Sequence, residues 1–314
     1  MNIRGFKIAI LLCLIPAVFF SQSAIAESFT MKRDDGSLIH YYLDFTNTGH
    51  TSDCLLVILQ GSDCNSVRRN PSIAKLRSTY PAANLLTVEK FGITEDLAYS
   101  KEVERPDCPP AYLSHDNPMQ RADDVENVLE YLRGKYAYEK VIVVGGSEGS
   151  DVALILTSRA SYINATIAFG GGGRWFSDDV LHSIRSGALP EKEAEKSAEG
   201  FRKFAQHILA SGPFEVSMSN HGYTWWRSML SLDKQALLEM IDTPVLLVHG
   251  GNDNSVSVEK AIEMTEYLRG VGKSNIESRI YEGMDHALNL SHDDPKTDTV
   301  ISEMRSWLEK TLER

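Results

Sequence analysis

Five short, mainly apolar runs limit what this chain can become: residues 55–59 (LLVIL), 85–88, 141–144 (VIVV), 164–169 and 244–248 (PVLLV). A strand with one wet face alternates apolar and polar residues, whereas a continuous run needs cover on both faces. Helix-length segments separate the runs: 71–80, 118–131, a helix beginning at 152–156, and 259–268, with a further strand at 276–281 and a closing helix at 300–312. This alternation predicts an α/β fold, a mostly parallel twisted sheet flanked by helices. Ahead of it, residues 28–32 and 38–45 alternate around Asp34-Asp35-Gly36 and read as a hairpin, so the sheet starts antiparallel.

Asn117 followed by Pro118 is a strong helix start, and Val125, Val128, Leu129 and Leu132 then share one face. Residues 152–156 are apolar nearly all round, which predicts a buried helix. From 170 to 241 the rhythm changes to helical segments without strand-like runs, carrying Trp175, Phe176, Tyr223, Trp225 and Trp226. The expected organisation is a core of residues 27–169 and 242–314 interrupted by a helical cap insertion at 170–241. The acids at 191–199 read as a solvated helical face.

Charge excludes one class of partner. The 314 residues hold 43 acids against 32 bases, a net charge of -11, and no basic patch is present, so nucleic acid is not an expected partner. The first 26 residues read as an address. Arg4 and Lys7 precede an apolar run at 8–20, and Ala24 and Ala26 end a small-x-small sequence. A spanning helix needs about 20 apolar residues, more than this run supplies. The expectation is a signal peptide cleaved after Ala26, a periplasmic or secreted protein, and no stable membrane anchor after cleavage. Cys13 follows Leu12 and does not make a lipidation site. An oxidising compartment favours a disulfide between Cys64 and Cys108, both in loop-like sequence, while Cys54 opens an apolar run and reads as a core thiol. Cysteine and histidine spacing suggests no zinc site, and neither a metal nor an organic cofactor is implied.

The strand at 141–144 runs straight into Gly145-Gly146-Ser147-Glu148-Gly149, and the buried helix follows. G-x-S-x-G at a strand-to-helix turn holds a serine hydroxyl above the sheet edge, with the backbone N–H of Glu148 aimed where an oxyanion would form. A serine needs a base. His286, in Gly283-Met284-Asp285-His286, follows the last strand and should reach the same edge. The base needs a carboxylate to orient it, and Asp253 lies a few residues beyond the strand at 244–248, where it also suits an Asx-turn. Asp285 is a rival acid, too close in sequence to face His286 well. His249 is a rival base that ends a strand and should pack or hydrogen-bond locally.

The order Ser147, Asp253, His286 resembles the α/β-hydrolase superfamily, with GGSEG, HGGND and GMDH in the expected places across nearly all of residues 27–314. The resemblance implies Ser147 as nucleophile, His286 as general base and Asp253 as its orienter. It also implies a second oxyanion donor in the loop after LLVIL, where Gln60-Gly61 stands in place of the usual His-Gly and the backbone N–H of Ser62 is the candidate. A Cys64–Cys108 bond would brace that loop. The side chain of Glu148, beside the nucleophile, could meet a substrate amine, but an exposed or helix-N-terminal carboxylate without a partner is the expected account. Trp175, Phe176, Tyr223, Trp225 and Trp226 could line a substrate pocket or form the core of the cap.

These residues suit a serine hydrolase that cleaves an ester, thioester or amide of a small-molecule or peptide acyl substrate through an acyl-enzyme on Ser147, most simply a carboxylesterase. Dienelactone-hydrolase-like or prolyl-oligopeptidase-like specificity fits the same motifs, although the chain has no room for a propeller. Alternatives are acyl transfer with the same three residues and a catalytically silent binding protein on this fold.

Overall fold

The computed structural model describes residues 26–46, 52–102, 104–290 and 294–313; of the expected leader at 1–26 only Ala26 falls inside them, and His292 and Asp293 lie outside. β1 (Ala26–Lys32) and β2 (Leu38–Asp44) pair antiparallel as the hairpin, and β2 runs antiparallel to β4 (Asn84–Val88). From there each pairing is parallel: β4 with β3 (Cys54–Leu59), β3 with β5 (Lys140–Gly146), β5 with β6 (Ala165–Phe169), β6 with β7 (Val245–Gly250) and β7 with β8 (Ile276–Tyr281). The order across the sheet is β1-β2-β4-β3-β5-β6-β7-β8. Parallel strands share a direction, so the loops leaving β3, β5, β6, β7 and β8 are neighbours along one edge.

Alternate side chains go to opposite faces of the sheet, and both faces are covered, which is why the strands are continuously apolar. Leu55, Val57, Leu59, Val141 and Val143 pack with α3 (Pro118–Tyr136) and α4 (Glu148–Arg159), in one buried cluster with Val125, Val128, Leu129 and Leu132. Leu56, Ile58, Ile142 and Val144 are buried instead with α1 (Pro71–Leu76) and α10 (Pro295–Leu312), against Ile73, Val300, Met304 and Trp307. Asn117 caps α3, its side chain accepting from the Met119 and Gln120 amides, but the helix runs past the expected end at 131 to a left-handed Ala137 at φ 51°. The stretch at 71–80 divides into α1 and a 3-10 turn (Arg77–Thr79). A short helix, α2 (Pro110–His115), has no counterpart in the sequence expectations, because Tyr112 is its one buried residue and leaves no periodic stripe.

Between β6 and β7 the described chain is helical: α5 (Phe176–Ser186), α6 (Glu191–Ala210), α7 (Tyr223–Ser231) and α8 (Lys234–Met240). The first three share an aromatic cluster with Phe201, Trp225, Trp226, Met229 and Leu230 buried and Phe176 packed against them. α8 is different. Leu238 and the following Ile241 are buried with Leu154 of α4, Leu247 of β7, and Met264 and Leu268 of α9 (Val258–Gly270). The end of the 170–241 segment therefore clads the sheet rather than joining the other three helices. Cys64 and Cys108, the expected pair, are bonded across a separation of 44 residues, and Cys54 is buried and free.

Candidate active site

β5 ends in Gly145 and Gly146, still paired with Ala168 and Phe169 of β6, and α4 starts one residue later. Ser147 alone makes the turn, at φ 54° and ψ -126°, a conformation that costs a non-glycine residue about 1–3 kcal/mol. The turn closes because its flanks have no side chains. A Cβ on Gly149 would stand 2.2 Å from the Leu59 carbonyl oxygen, and one on Gly145 would stand 2.0 Å from that of Gly149. β3, β5 and α4 thus meet backbone to backbone, and the Ser147 amide donates to the Phe169 carbonyl at 2.9 Å.

The loops after β7 and β8 bring two more side chains to this point. Ser147 Oγ is 2.9 Å from His286 Nε2, and His286 Nδ1 is 2.8 Å from Asp253 Oδ2. The Asn252 amide donates to the Met284 carbonyl at 2.9 Å and ties the two loops together. Asp253 divides its oxygens: Oδ1 accepts the Ser255 and Val256 amides at 2.8 and 2.9 Å, so the Asx-turn and the contact with His286 belong to one residue. Burial raises the Asp253 carboxyl, but the hydrogen bond from His286 and the two amides outweigh it and hold the group below its ordinary value. An ionised Asp253 accepts from Nδ1–H, which leaves Nε2 free to accept the Ser147 hydroxyl proton.

Neither rival hydrogen-bonds to Ser147 or His286 among the described residues. Asp285 pairs with Asn289, accepting its amide at 2.7 Å and donating its own amide to Asn289 Oδ1 at 3.0 Å. His249 packs, one of the two outcomes expected of it: it is buried, and its ring nitrogens have no hydrogen-bond partner among the described residues. Burial pushes its imidazole from 6.5 down to about 4. The folded chain therefore leaves His249 neutral while the unfolded chain takes up a proton, so stability is whole above pH 6.5 and erodes below it. His249→Leu removes that erosion. Urea unfolding should show the free-energy difference between variant and parent moving by about 2 kcal/mol in the variant's favour from pH 8 to pH 5.

On the other side of the hydroxyl runs the loop after β3. A Cβ on Gly61 would lie 3.7 Å from Ser147 Oγ. The backbone amides of Ser62 and Glu148 have no hydrogen-bond acceptor among the described residues. The loop is held from behind: the Tyr112 hydroxyl donates to the Ser62 carbonyl at 2.9 Å and Gln60 Nε2 to the Asn65 carbonyl at 2.7 Å.

Glu148 corrects the expectation of a carboxylate without a partner. Its side chain is buried, Oε1 lies 2.6 Å from Arg121 Nη1, and Oε2 accepts Trp225 Nε1 at 2.8 Å. Burial raises its carboxyl, and the Arg121 and Lys90 cations outweigh burial and keep it ionised. Arg121 Nη2 also donates to the Gln60 carbonyl at 2.8 Å. One guanidinium therefore grips both segments that carry the free amides. The sequence held a signal for it: Arg121 stands one turn before Val125 on the stripe that continues through Val128, Leu129 and Leu132, a charge at a core position.

Two cavities open on Ser147. One of about 150 Å³ is mainly apolar, lined by Gly61, Ile73, Leu76, Phe169 and Leu290 and by His286. The other, of about 90 Å³, is lined by Ser62, Glu148, Phe176, Trp225 and Met229 and by the charged Asp151, Asp179 and Lys234. Of the five aromatic residues considered for a substrate pocket, Phe176 and Trp225 therefore border the hydroxyl. Trp226 is buried in the α5–α7 cluster with its Nε1 3.2 Å from the Met218 carbonyl, and Trp175 carries the Arg174 guanidinium 4.9 Å from its ring centre. Tyr223 lines a separate cavity of about 710 Å³ that contains none of Ser147, Asp253 and His286. Among the described residues no group of three or more His, Cys, Asp or Glu is placed to hold a metal ion, and no helix is long and apolar enough to cross a membrane.

The sheet order and the strand–turn–helix at Ser147 define an α/β-hydrolase. The chain belongs to the BAAT / Acyl-CoA thioester hydrolase C-terminal family, which matches residues 125–292, and so to the esterase and thioesterase class of hydrolases. Its fold is similar to that of Est1E from Butyrivibrio proteoclasticus, at 14% identity and a TM-score of 0.61, covering 93% of this chain and 100% of that one. It is similar also to the esterase Pf2001 of Pyrococcus furiosus, at 16% identity and a TM-score of 0.57, covering 93% and 90%. No curated protein matches the chain in sequence.

Proposed function

We propose that this chain is an exported serine carboxylesterase working through an acyl-enzyme. One observation carries the reading: the unbroken line from Ser147 Oγ to His286 Nε2 at 2.9 Å and from His286 Nδ1 to Asp253 Oδ2 at 2.8 Å. Ser147 Oγ attacks the acyl carbon while His286 Nε2 takes its proton. The amides of Ser62 and Glu148 receive the oxyanion. The bond to the leaving group breaks as His286 returns the proton to it. Water then repeats the sequence, freeing the acid and restoring the serine. Phe176 of α5 and Trp225 and Met229 of α7 wall the smaller cavity beside the serine.

Residues 1–26 are read as the export signal, and the Cys64–Cys108 bond suits an oxidising destination such as the periplasm. The test of the mechanism is covalent labelling. A fluorophosphonate probe is expected to tag the parent at Ser147 and leave Ser147→Ala untagged; equal labelling of both would remove the serine from the mechanism. p-Nitrophenyl esters compared with aminoacyl anilides then separate esterase from peptidase.

A further inference from the structure

The two cavities beside Ser147 divide the substrate between them. In a serine hydrolase the leaving group departs past the base, which must reach it to return the proton. His286 lines the cavity of about 150 Å³ and is absent from the lining of the cavity of about 90 Å³. The leaving group therefore belongs on the apolar side, and the acyl chain on the side of α4 and α8. At about 30 Å³ for each water-sized group, the acyl side holds roughly three non-hydrogen atoms beyond the carbonyl.

Its floor is not apolar. Asp151 lies one helical turn beyond Ser147 on α4 and is buried, 3% exposed. Its Oδ1 has no hydrogen-bond partner and stands 3.8 Å from Lys234 Nζ, an ion-pair distance too long for a hydrogen bond. Lys234 gives its hydrogen bonds elsewhere, to Asp179 Oδ2 at 3.2 Å and to the Gly171 carbonyl. With Glu148 matched by Arg121, two carboxylates share one ammonium and the floor is short of a donor. Burial, reinforced by the Asp179 and Glu148 charges and only partly offset by Lys234, pushes the Asp151 carboxyl up to about 7, as expected where that donor is missing.

We propose that this cavity is the acyl subsite and that it selects a short acyl chain bearing a hydrogen-bond donor, a hydroxyl or an ammonium, which Asp151 accepts. The inference rests on the acyl-enzyme reading and adds the substrate class. Asp151 follows Ser147 by one turn of chain, about 5–6 Å of helical rise. Both line a cavity with room for about three atoms beyond the carbonyl, so the donor to test sits at the end of that reach, on the third carbon of the acid.

The experiment compares kcat/KM for the p-nitrophenyl esters of butyrate, 3-hydroxypropionate, 3-aminopropionate and hexanoate in the parent, Asp151→Asn and Asp151→Ala. The parent should prefer at least one 3-substituted ester over butyrate by about tenfold or more, the range of a hydrogen bond to a charged group, and should disfavour hexanoate. Asp151→Ala should bring that preference to within about twofold of unity. Asp151→Asn, which keeps an acceptor oxygen and loses the charge, should retain preference for a hydroxyl and lose it for an ammonium, so the two donors are told apart. A parent that treats butyrate and both substituted esters alike overturns the inference without any variant, as does a preference that survives in Asp151→Ala. A chain that hydrolyses none of the esters and takes up no fluorophosphonate fails the serine-hydrolase reading itself. One that labels and hydrolyses without donor preference fails the subsite alone.

Discussion

His286→Ala should reduce ester hydrolysis by roughly 10⁴–10⁶-fold, and Ser147→Ala should do the same. The reason is a single shared step. Without the imidazole the Ser147 hydroxyl has nowhere to send its proton, and without the hydroxyl the imidazole has nothing to activate, so either loss ends covalent catalysis. The double variant should accordingly be no slower than either single one, because two residues acting as a unit do not add. Asp253→Asn offers the wrong partner to Nδ1 and should cost about 10⁴-fold. His286 is on a surface loop and its side chain is 26% exposed, so His286→Ala should melt close to the parent. Initial rates on p-nitrophenyl butyrate beside thermal melts check this. A His286→Ala chain keeping more than about a hundredth of parental kcat would take the base elsewhere.

Arg121→Met is the second large effect, and it reaches stability and rate together. The side chains of Arg121 and Glu148 are 6% and 1% exposed. Removing the cation from such a pair strands a buried carboxylate, which costs about 3–5 kcal/mol. The rate should fall as well, because the guanidinium joins Gln60 to Glu148 and so fixes the spacing of the Ser62 and Glu148 amides. One misplaced oxyanion donor is worth about 10²–10³ in kcat. Arg121→Lys should rescue little, since an ammonium cannot span Glu148 Oε1 and the Gln60 carbonyl with a rigid fork. Adding Glu148→Gln to Arg121→Met removes the stranded charge and should recover stability without recovering kcat. Denaturant midpoints and single-turnover rates for the four chains separate the two losses.

Much of this could be read before any fold was known, for a local reason. Continuous apolar runs and the five residues of the elbow are short-range signals. Their edge positions also limited the partners of Ser147 to residues just past later strands, and His286 and Asp253 stood there. The unread parts are pairings between distant segments. Nothing beside Glu148 announces that residue 121 and residue 225 will close over it. Lys234, at the first position of α8, counts as a solvated charge until Leu238 and Ile241 turn its face inward. The two cavities were hidden for the same reason, since three of the five aromatic residues are spent on packing or lie off the site.

β8 is the last strand of the sheet, and its outer side pairs with no other strand among the described residues. Glu277 and Arg279 interrupt it with charge, which discourages a second chain from adding there. Held by a partner on one side only, it is more readily lifted by a fluctuation than the interior strands, and the imidazole hangs from the loop that follows it. Thermal fraying at this border would draw His286 away from Ser147 while the interior strands and the strained serine stay in place. Loss of activity on warming should therefore precede the melt of the whole, as activity and circular dichroism followed together on heating would show, and should reverse on cooling.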